Sequence, residues 1–93
     1  MGGLMCGYVY VLGSLGKGGP RSYVGWTRDI DRRLLQHNEG KGARSTRGRK
    51  WVLLYAEKLP GRSESLSREW YLKRDRKFRK TLLGDCVIRP QTR

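Results

Sequence analysis

Three short apolar runs predict the strands of a small sheet. In Tyr8–Leu12, alternation puts the two tyrosines and the leucine on one face and the two valines on the other. Ser22–Trp26 predicts a second strand, and Gly13–Pro20 between them, with its four glycines and a proline, predicts a long mobile hairpin loop. Trp51–Ala56 is apolar throughout, which predicts a third strand covered on both faces.

A helical period follows the second strand. Ile30, Leu34 and His37 recur at i, i+4 and i+7, Thr27 is the expected N-cap, and glycines at positions 40 and 42 are expected to end the helix. The basic connector that comes next, residues 41–50, predicts a loop with a short turn of helix.

Beyond the third strand the chain predicts two more helices. Ser63 is the expected N-cap of the first of them, in which Leu66, Glu69, Trp70 and Lys73 share one face. A short last helix follows and should close at the glycine at position 84, which leaves residues 85–93 as a tail.

The predicted order is β-β-α-β-α-α, an α+β fold in which a small three-stranded antiparallel sheet is flanked by helices. One domain over residues 6–84 accounts for the whole pattern, because 93 residues suit a single small core.

Charge narrows the function more than any other compositional feature. Lys and Arg number 21 against 8 Asp and Glu, a formal net charge of +13. So large an excess repels itself unless a polyanion is near, which favours nucleic acid as the partner and leaves an anionic membrane surface as the alternative. The chain shows no apolar run long enough for a membrane span and no secretory signal pattern, so neither is expected.

Cys6 and Cys86 are the only cysteines. The expected state is two free thiols in a reducing cytoplasm, with a single disulfide as the alternative. With His37 as the only histidine, Cys and His alone do not make up a structural zinc site.

Five positions in a fixed order carry a resemblance to a known family. They are Tyr10, Tyr23, Arg33, His37 and Glu69. The tyrosines belong to the tripeptides Tyr-Val-Tyr and Tyr-Val-Gly, and the arginine and histidine share the run Arg-Arg-x-x-Gln-His-Asn. This set resembles the GIY-YIG nuclease superfamily, above all its short stand-alone bacterial members of the URI-domain type and the catalytic domain of structure-specific endonucleases.

The resemblance implies a metal-dependent endonuclease that hydrolyses DNA phosphodiester bonds, with DNA repair or recombination as the expected context. It implies Glu69 as the ligand of Mg²⁺ or Mn²⁺ and Arg33 as the clamp on the scissile phosphate. Tyr10 and Tyr23 are expected beside the attacking water, and His37 is expected as a general base or a phosphate contact.

Each role has a plainer structural alternative. Glu69 could pair with Arg68 or Lys73 on the surface of its helix, and Arg33 could pair with Asp29. The tyrosines and the histidine could simply fill the core. A tyrosine with a pKa of about 10 is also a poor base at neutral pH unless a metal and an arginine lower that pKa.

One departure from the family pattern bears on catalysis. Many members carry an asparagine late in the domain, whereas the only asparagine of this chain is Asn38. That role is therefore absent here or supplied by another residue.

Two basic segments, residues 41–50 and 73–80, are expected to bind the nucleic-acid backbone. The residues named for this role are Lys41, Arg44, Arg47, Arg49, Lys50, Lys73, Arg74 and Arg76. DNA rather than RNA is the expected partner. Two other functions stay open: a non-catalytic basic nucleic-acid-binding module with the same fold, and a basic accessory protein of a ribonucleoprotein.

Overall fold

A central strand organises the sheet. This strand, β1 (Gly7–Gly16), pairs antiparallel with β2 (Gly19–Thr27) on one side and with β3 (Val52–Leu59) on the other. The computed structural model describes residues 7–16 and 18–88, with side chains through residue 84. Cys6 and residues 89–93, on which the thiol and tail predictions partly fall, lie outside the described residues.

Three helices and one short turn complete the fold: α1 (Ile30–Asn38), a 3₁₀ turn (Arg44–Thr46), α2 (Arg62–Arg74) and α3 (Arg76–Ile88). The α+β class, the three-stranded antiparallel sheet and the order β-β-α-β-α-α are confirmed. In the part of the chain just described, no helix is long and apolar enough to cross a membrane.

The two faces of β1 support two separate cores. Val9 and Val11 pack against α2 and α3 on one face, whereas Tyr10 and Leu12 pack against Trp51 and α1 on the other. The alternation predicted for this strand is therefore confirmed. The tyrosine face is covered by elements that follow β2 directly, and the valine face by the last two helices.

The hairpin is longer and tighter than predicted. Pairing continues to Gly16 opposite Gly19, so the stretch predicted as a long mobile loop is mostly strand. Arg49 accounts for the difference, because its guanidinium donates to Ser14 Oγ at 3.1 Å and to the carbonyl oxygens of Ser14 at 3.4 Å and Gly19 at 2.6 Å. A side chain from the distant connector thus holds the end of the hairpin.

Two predicted N-caps are wrong by two residues each. Asp29 rather than Thr27 caps α1, because Thr27 is still paired in the strand while the Asp29 carboxylate accepts the Arg32 amide at 3.1 Å. Gly61 rather than Ser63 is the N-cap of α2, so Ser63 lies within the first turn.

The prediction that both faces of β3 are covered is wrong, because no residue of this edge strand is buried. A bulge lies opposite Val11 and Leu12, where Leu54 is the extra residue on β3. The side chains of Val52 and Leu53 are 50% and 41% exposed. Hydrophobicity predicted burial here, but packing of other elements on the strand decides it, and Val52 and Leu53 stay exposed.

The last helix also departs from prediction, since α3 continues through Gly84 to Ile88. An interior glycine costs a helix about 1 kcal/mol relative to alanine. Packing of Phe78 and Leu82 against the valine core holds the helix in place. Residues 85–88, predicted as the start of the tail, are therefore helical.

Candidate active site

Three side chains on the tyrosine face form one buried hydrogen-bonded chain. The Tyr10 hydroxyl lies 3.0 Å from His37 Nε2, and His37 Nδ1 lies 2.9 Å from the Thr46 hydroxyl. Thr46 donates its own hydroxyl hydrogen to the Ala43 carbonyl oxygen at 2.7 Å. Because that hydrogen is used, Thr46 must accept from His37, so Nδ1 carries the proton and Nε2 accepts from Tyr10.

Burial keeps this chain of groups neutral. His37 is fully buried, and burial, followed by the positive charge of Arg33, lowers the pKa of His37 below its ordinary value of 6.5. Burial also raises the pKa of Tyr10 to about 12, although Arg33 acts in the opposite direction. The resting site therefore holds a neutral imidazole that accepts a hydrogen bond from a protonated phenol.

Two glycines make room for these rings. Gly25 lies opposite Tyr10 in the register of β1 and β2, and a side chain there would meet the Tyr10 hydroxyl and the Tyr23 ring. Gly42 lies against His37, where a side chain would meet the imidazole Nδ1. Glycine is required at both positions because the neighbouring rings leave no space for a side chain.

Tyr23, Arg33 and Glu69 form a more exposed outer layer around the buried chain. The Tyr23 ring centroid lies 4.9 Å from that of His37 and 6.3 Å from that of Tyr10. Arg33 acts on the pKa of both buried groups, and the Glu69 carboxylate on α2 raises the pKa of Tyr10. The structure thus brings four of the five residues together from β1, β2 and α1, and it places Glu69 on α2 close enough for its charge to act on Tyr10.

The polar partners of the outer layer agree only in part with the structural alternatives. Arg33 donates to Gln36 Oε1 at 2.9 Å, and its only contact with Asp29 among the described residues is the helical backbone bond. Glu69 does pair with Lys73, at 3.0 Å. Because the Lys73 side chain is 57% exposed, another cation can replace it at little cost.

The donor set fits one kind of metal ion. Among the side chains that the structure describes, in residues 7–16 and 18–84, no three or more His, Cys, Asp or Glu lie close enough together to hold a metal. A single carboxylate suits Mg²⁺ or Mn²⁺, which retain several of their own waters, and does not suit Zn²⁺, which takes at least three protein ligands. Glu69, whose side chain is 17% exposed, is the residue that would hold such an ion.

The predicted backbone-binding cations occupy three settings. Exposed side chains on the connector beside the buried chain are Lys41, Arg44, Arg47 and Lys50. Those on or just after α2 are Lys73, Arg74 and Arg76. Arg49 differs from both groups, since its guanidinium is engaged at the end of the hairpin.

Sequence reasoning missed Thr46. It is fully buried, it orients His37, and its backbone carbonyl accepts the Trp51 indole N–H at 2.8 Å. Nothing in a lone threonine within a basic loop points to that role. The role of Asn38 is structural. Its amide exchanges two hydrogen bonds with the Trp51 backbone, at 2.6 and 3.1 Å, and so anchors α1 to the start of β3.

The lowered pKa of His37 predicts that stability falls in mild acid. Below pH 6.5 the unfolded chain binds a proton that the folded chain does not, so the contribution is complete above 6.5 and is lost as the pH falls toward the folded pKa. Urea unfolding of wild type between about pH 5 and pH 7 should show this slope. His37→Gln, which removes the only histidine, should be less stable at pH 7 but should lack the slope. Equal slopes in the two proteins would contradict the assignment.

Comparison with known proteins gives the family. The model of the GIY-YIG catalytic domain matches residues 6–82. The UPF0213 protein CPE1444 of Clostridium perfringens is 41% identical over 68 residues, which cover 72% of this chain and 70% of that protein. A UPF0213 protein of Nitratidesulfovibrio vulgaris is 42% identical over 72 residues, covering 71% of this chain and 66% of the relative.

Two further matches extend over more of the chain. The UPF0213 protein OB0043 of Oceanobacillus iheyensis is 36% identical over 77 residues, covering 82% of this chain and 86% of the relative. The solution NMR structure of the UPF0213 protein BH0048 from Bacillus halodurans is 36% identical, covers 86% of this chain and 84% of that one, and has a TM-score of 0.48. From the domain match and the identities to the Clostridium and Oceanobacillus proteins, the chain belongs to the GIY-YIG catalytic-domain family, with UPF0213 proteins among its relatives.

Proposed function

We propose that this protein is a metal-dependent endonuclease that hydrolyses phosphodiester bonds of DNA. The observation that carries the proposal is the oriented hydrogen bond from Tyr10 to a neutral His37, surrounded by Arg33 and Glu69. An imidazole fixed in one tautomer, with its acceptor nitrogen directed at a phenol, is suited to receive a proton. Membership of a nuclease family supports the same reaction.

The reaction needs a proton acceptor. When a water oxygen attacks phosphorus, one P–O bond forms, the bond to the leaving oxygen breaks, and the water gives up a proton. Because the pKa of Tyr10 is about 12, a free tyrosinate is unfavourable. Tyr10 therefore takes the water proton as it passes its own to His37 Nε2, and the imidazolium keeps its Nδ1–H bond to Thr46.

Two proton transfers with solvent complete the reaction. The leaving oxygen takes a proton from solvent, and His37 returns its proton to solvent through Tyr10. Since His37 is fully buried, its part in the reaction would pass through the Tyr10 hydroxyl, and because Tyr10 is 1% exposed, the attacking water would have to reach that hydroxyl through the outer layer.

The residues of the outer layer would stabilise the negative charge that develops on the phosphate. The Arg33 fork would donate to the phosphate oxygens, where negative charge increases in the transition state. A hard divalent ion on Glu69 would supply positive charge to the attacking or leaving oxygen. Lys73, now paired with Glu69, would be free to contact the backbone.

One observation favours a second candidate, a non-catalytic DNA-binding module. Both amide atoms of Asn38 are used by the Trp51 backbone, so Asn38 does not replace the late asparagine of many family members. Such a module would keep the salt-sensitive binding expected of a chain with net charge +13 but would not cut.

The test is cleavage of plasmid, single-stranded and branched DNA with Mg²⁺, Mn²⁺ or EDTA. Wild type should nick at least one substrate only with metal, and Arg33→Ala should be slower by about 10²–10³-fold. Arg32→Ala is the matched control, because Arg32 is the exposed neighbour on the same helix and should cut at nearly the wild-type rate. Tight binding without cleavage by wild type would establish the binding module instead.

A further inference from the structure

A second, strongly basic cleft lies between the turn end of β2 and the first turns of α3. Its volume is about 520 Å³. Its lining residues are Pro20, Arg21, Ser22, Arg76, Lys77, Arg79, Lys80 and Leu83, and five of these eight are cationic while none is acidic. We call this the basic cleft. Four of these cations belong to the segment 73–80, which the sequence predicts to bind the backbone, and the structure adds Arg21 from β2.

One wall of the basic cleft is fixed. The Arg79 guanidinium donates to the carbonyl oxygens of Leu72 at 3.0 Å and Lys73 at 2.6 Å, and to Ser22 Oγ at 3.0 Å. These bonds tie the end of α2 to the edge strand β2. Arg79 therefore contributes its charge from a rigid position.

The other four cations of the cleft are exposed: Arg21, Arg76, Lys77 and Lys80. Among the side chains that the structure describes, through residue 84, they form no ion pair. This concentration of positive charge makes the cleft attractive to an anion.

The start of α3 strengthens this attraction. Arg76 and Lys77 occupy its first turn, which contains no acidic residue. Positive side chains are unfavourable at that end of a helix, because they add to the positive pole of its dipole. Asp75, whose carboxylate accepts the Phe78 amide at 3.0 Å, offsets only part of this charge, because one carboxylate faces two cations in the first turn. A polyanion in the cleft would relieve this repulsion.

The basic cleft and the candidate active site lie on opposite faces of the sheet, on either side of the edge strand β2, and two residues connect them. Ser22 lines the cleft, and Tyr23, the next residue of the edge strand β2, contacts His37. The carbonyl oxygen of Lys73 accepts a hydrogen bond from Arg79, and its ammonium forms an ion pair with Glu69. A small free anion would occupy either the basic cleft or the candidate active site, whereas a chain of phosphates that crosses the β2 edge would occupy both.

We propose that the basic cleft binds the phosphate backbone of the DNA strand being cut, several nucleotides from the scissile bond. The proposal rests on the proposed function for the location of the cut. It makes affinity depend on strand length, because a short oligonucleotide fills the active site alone and a longer one also reaches the cleft. Loss of the cleft should raise KM for long substrates and leave kcat unchanged.

The test compares the double variant Lys77→Ala/Lys80→Ala with Lys58→Ala/Arg62→Ala, which removes the same charge from exposed positions outside the cleft. Binding of single-stranded DNA of about 4 and about 16 nucleotides is measured by fluorescence anisotropy in EDTA, where no cleavage is expected. The cleft variant should lose about tenfold affinity for the long strand and little for the short one. Its log–log salt slope should be smaller by about 1.4, at roughly 0.7 for each lost contact.

Several results would overturn the proposal. These are equal losses for both strand lengths, the same loss in the control variant, or a loss seen only with RNA of matched sequence. Because binding is measured without turnover, the two proposals can fail separately. If the cleft variant loses affinity for the long strand but wild type never cleaves DNA, the nuclease proposal fails and the cleft proposal stands. If wild type cleaves DNA but the cleft variant binds the long strand normally, the cleft proposal fails and the nuclease proposal stands.

Discussion

Replacing Tyr10 with phenylalanine is expected to slow DNA cleavage by about 10²–10⁴-fold, the usual contribution of proton transfer by a positioned side chain. The ring and its packing stay, but the water loses the group that receives its proton. The fold should also lose stability, because His37 Nε2 would be buried without a donor, at a cost of about 1–3 kcal/mol. Single-turnover cleavage and urea unfolding measure the two effects.

Tyr23→Phe is the control for this variant. The Tyr23 hydroxyl has no hydrogen-bond partner among the described residues, and its ring contacts would remain. Stability should therefore be close to that of wild type, and any loss of cleavage should be smaller than in Tyr10→Phe. A Tyr10→Phe variant that cuts at the wild-type rate would remove the proton relay from the mechanism.

The second large effect is expected from Glu69→Gln, which keeps the shape of the side chain and removes its charge. Cleavage in Mg²⁺ should fall by at least about 10²-fold, since a metal ion contributes several kcal/mol of charge stabilisation. DNA binding should be kept or strengthened, because the Lys73 ammonium loses its partner at 3.0 Å and becomes free for phosphate.

Glu64→Gln is the matched control on the same helix. Glu64 is exposed in the first turn of α2, where its charge is worth a few tenths of a kcal/mol to the helix. This variant should cut normally in Mg²⁺. If Glu69→Gln retains metal-dependent cleavage, the ion is held elsewhere, and the assignment of Glu69 fails while the nuclease proposal stands.

The sequence predicted the order of elements because that order depends on local patterns, and it singled out five candidate site residues because they match family motifs. Strand alternation and helical spacing are visible in the chain, and Tyr10, Tyr23, Arg33, His37 and Glu69 match family motifs. Their convergence in the structure follows from the sheet register and from packing of α1 and α2 on its two faces.

What the sequence did not reveal depends on distant contacts. The hairpin extends because Arg49 reaches back to Ser14, and His37 holds one tautomer because Thr46 folds beneath it. Neither partner has a local signature. The shift of the Tyr10 pKa to about 12 is likewise a property of burial, which no tripeptide motif encodes.

The separation of the two cores has a consequence for the protein during its synthesis. The ribosome releases the chain from its amino end, so β1, β2, α1 and the basic connector emerge before α2. At that stage Tyr10, Tyr23, Arg33 and His37 are present and Glu69 is not. A nascent chain at this length can bind nucleic acid through its positive charge but lacks the carboxylate assigned to the metal. Because Glu69 is supplied by the second half of the chain, the proposed cleavage would begin only after the valine face of the sheet has been covered.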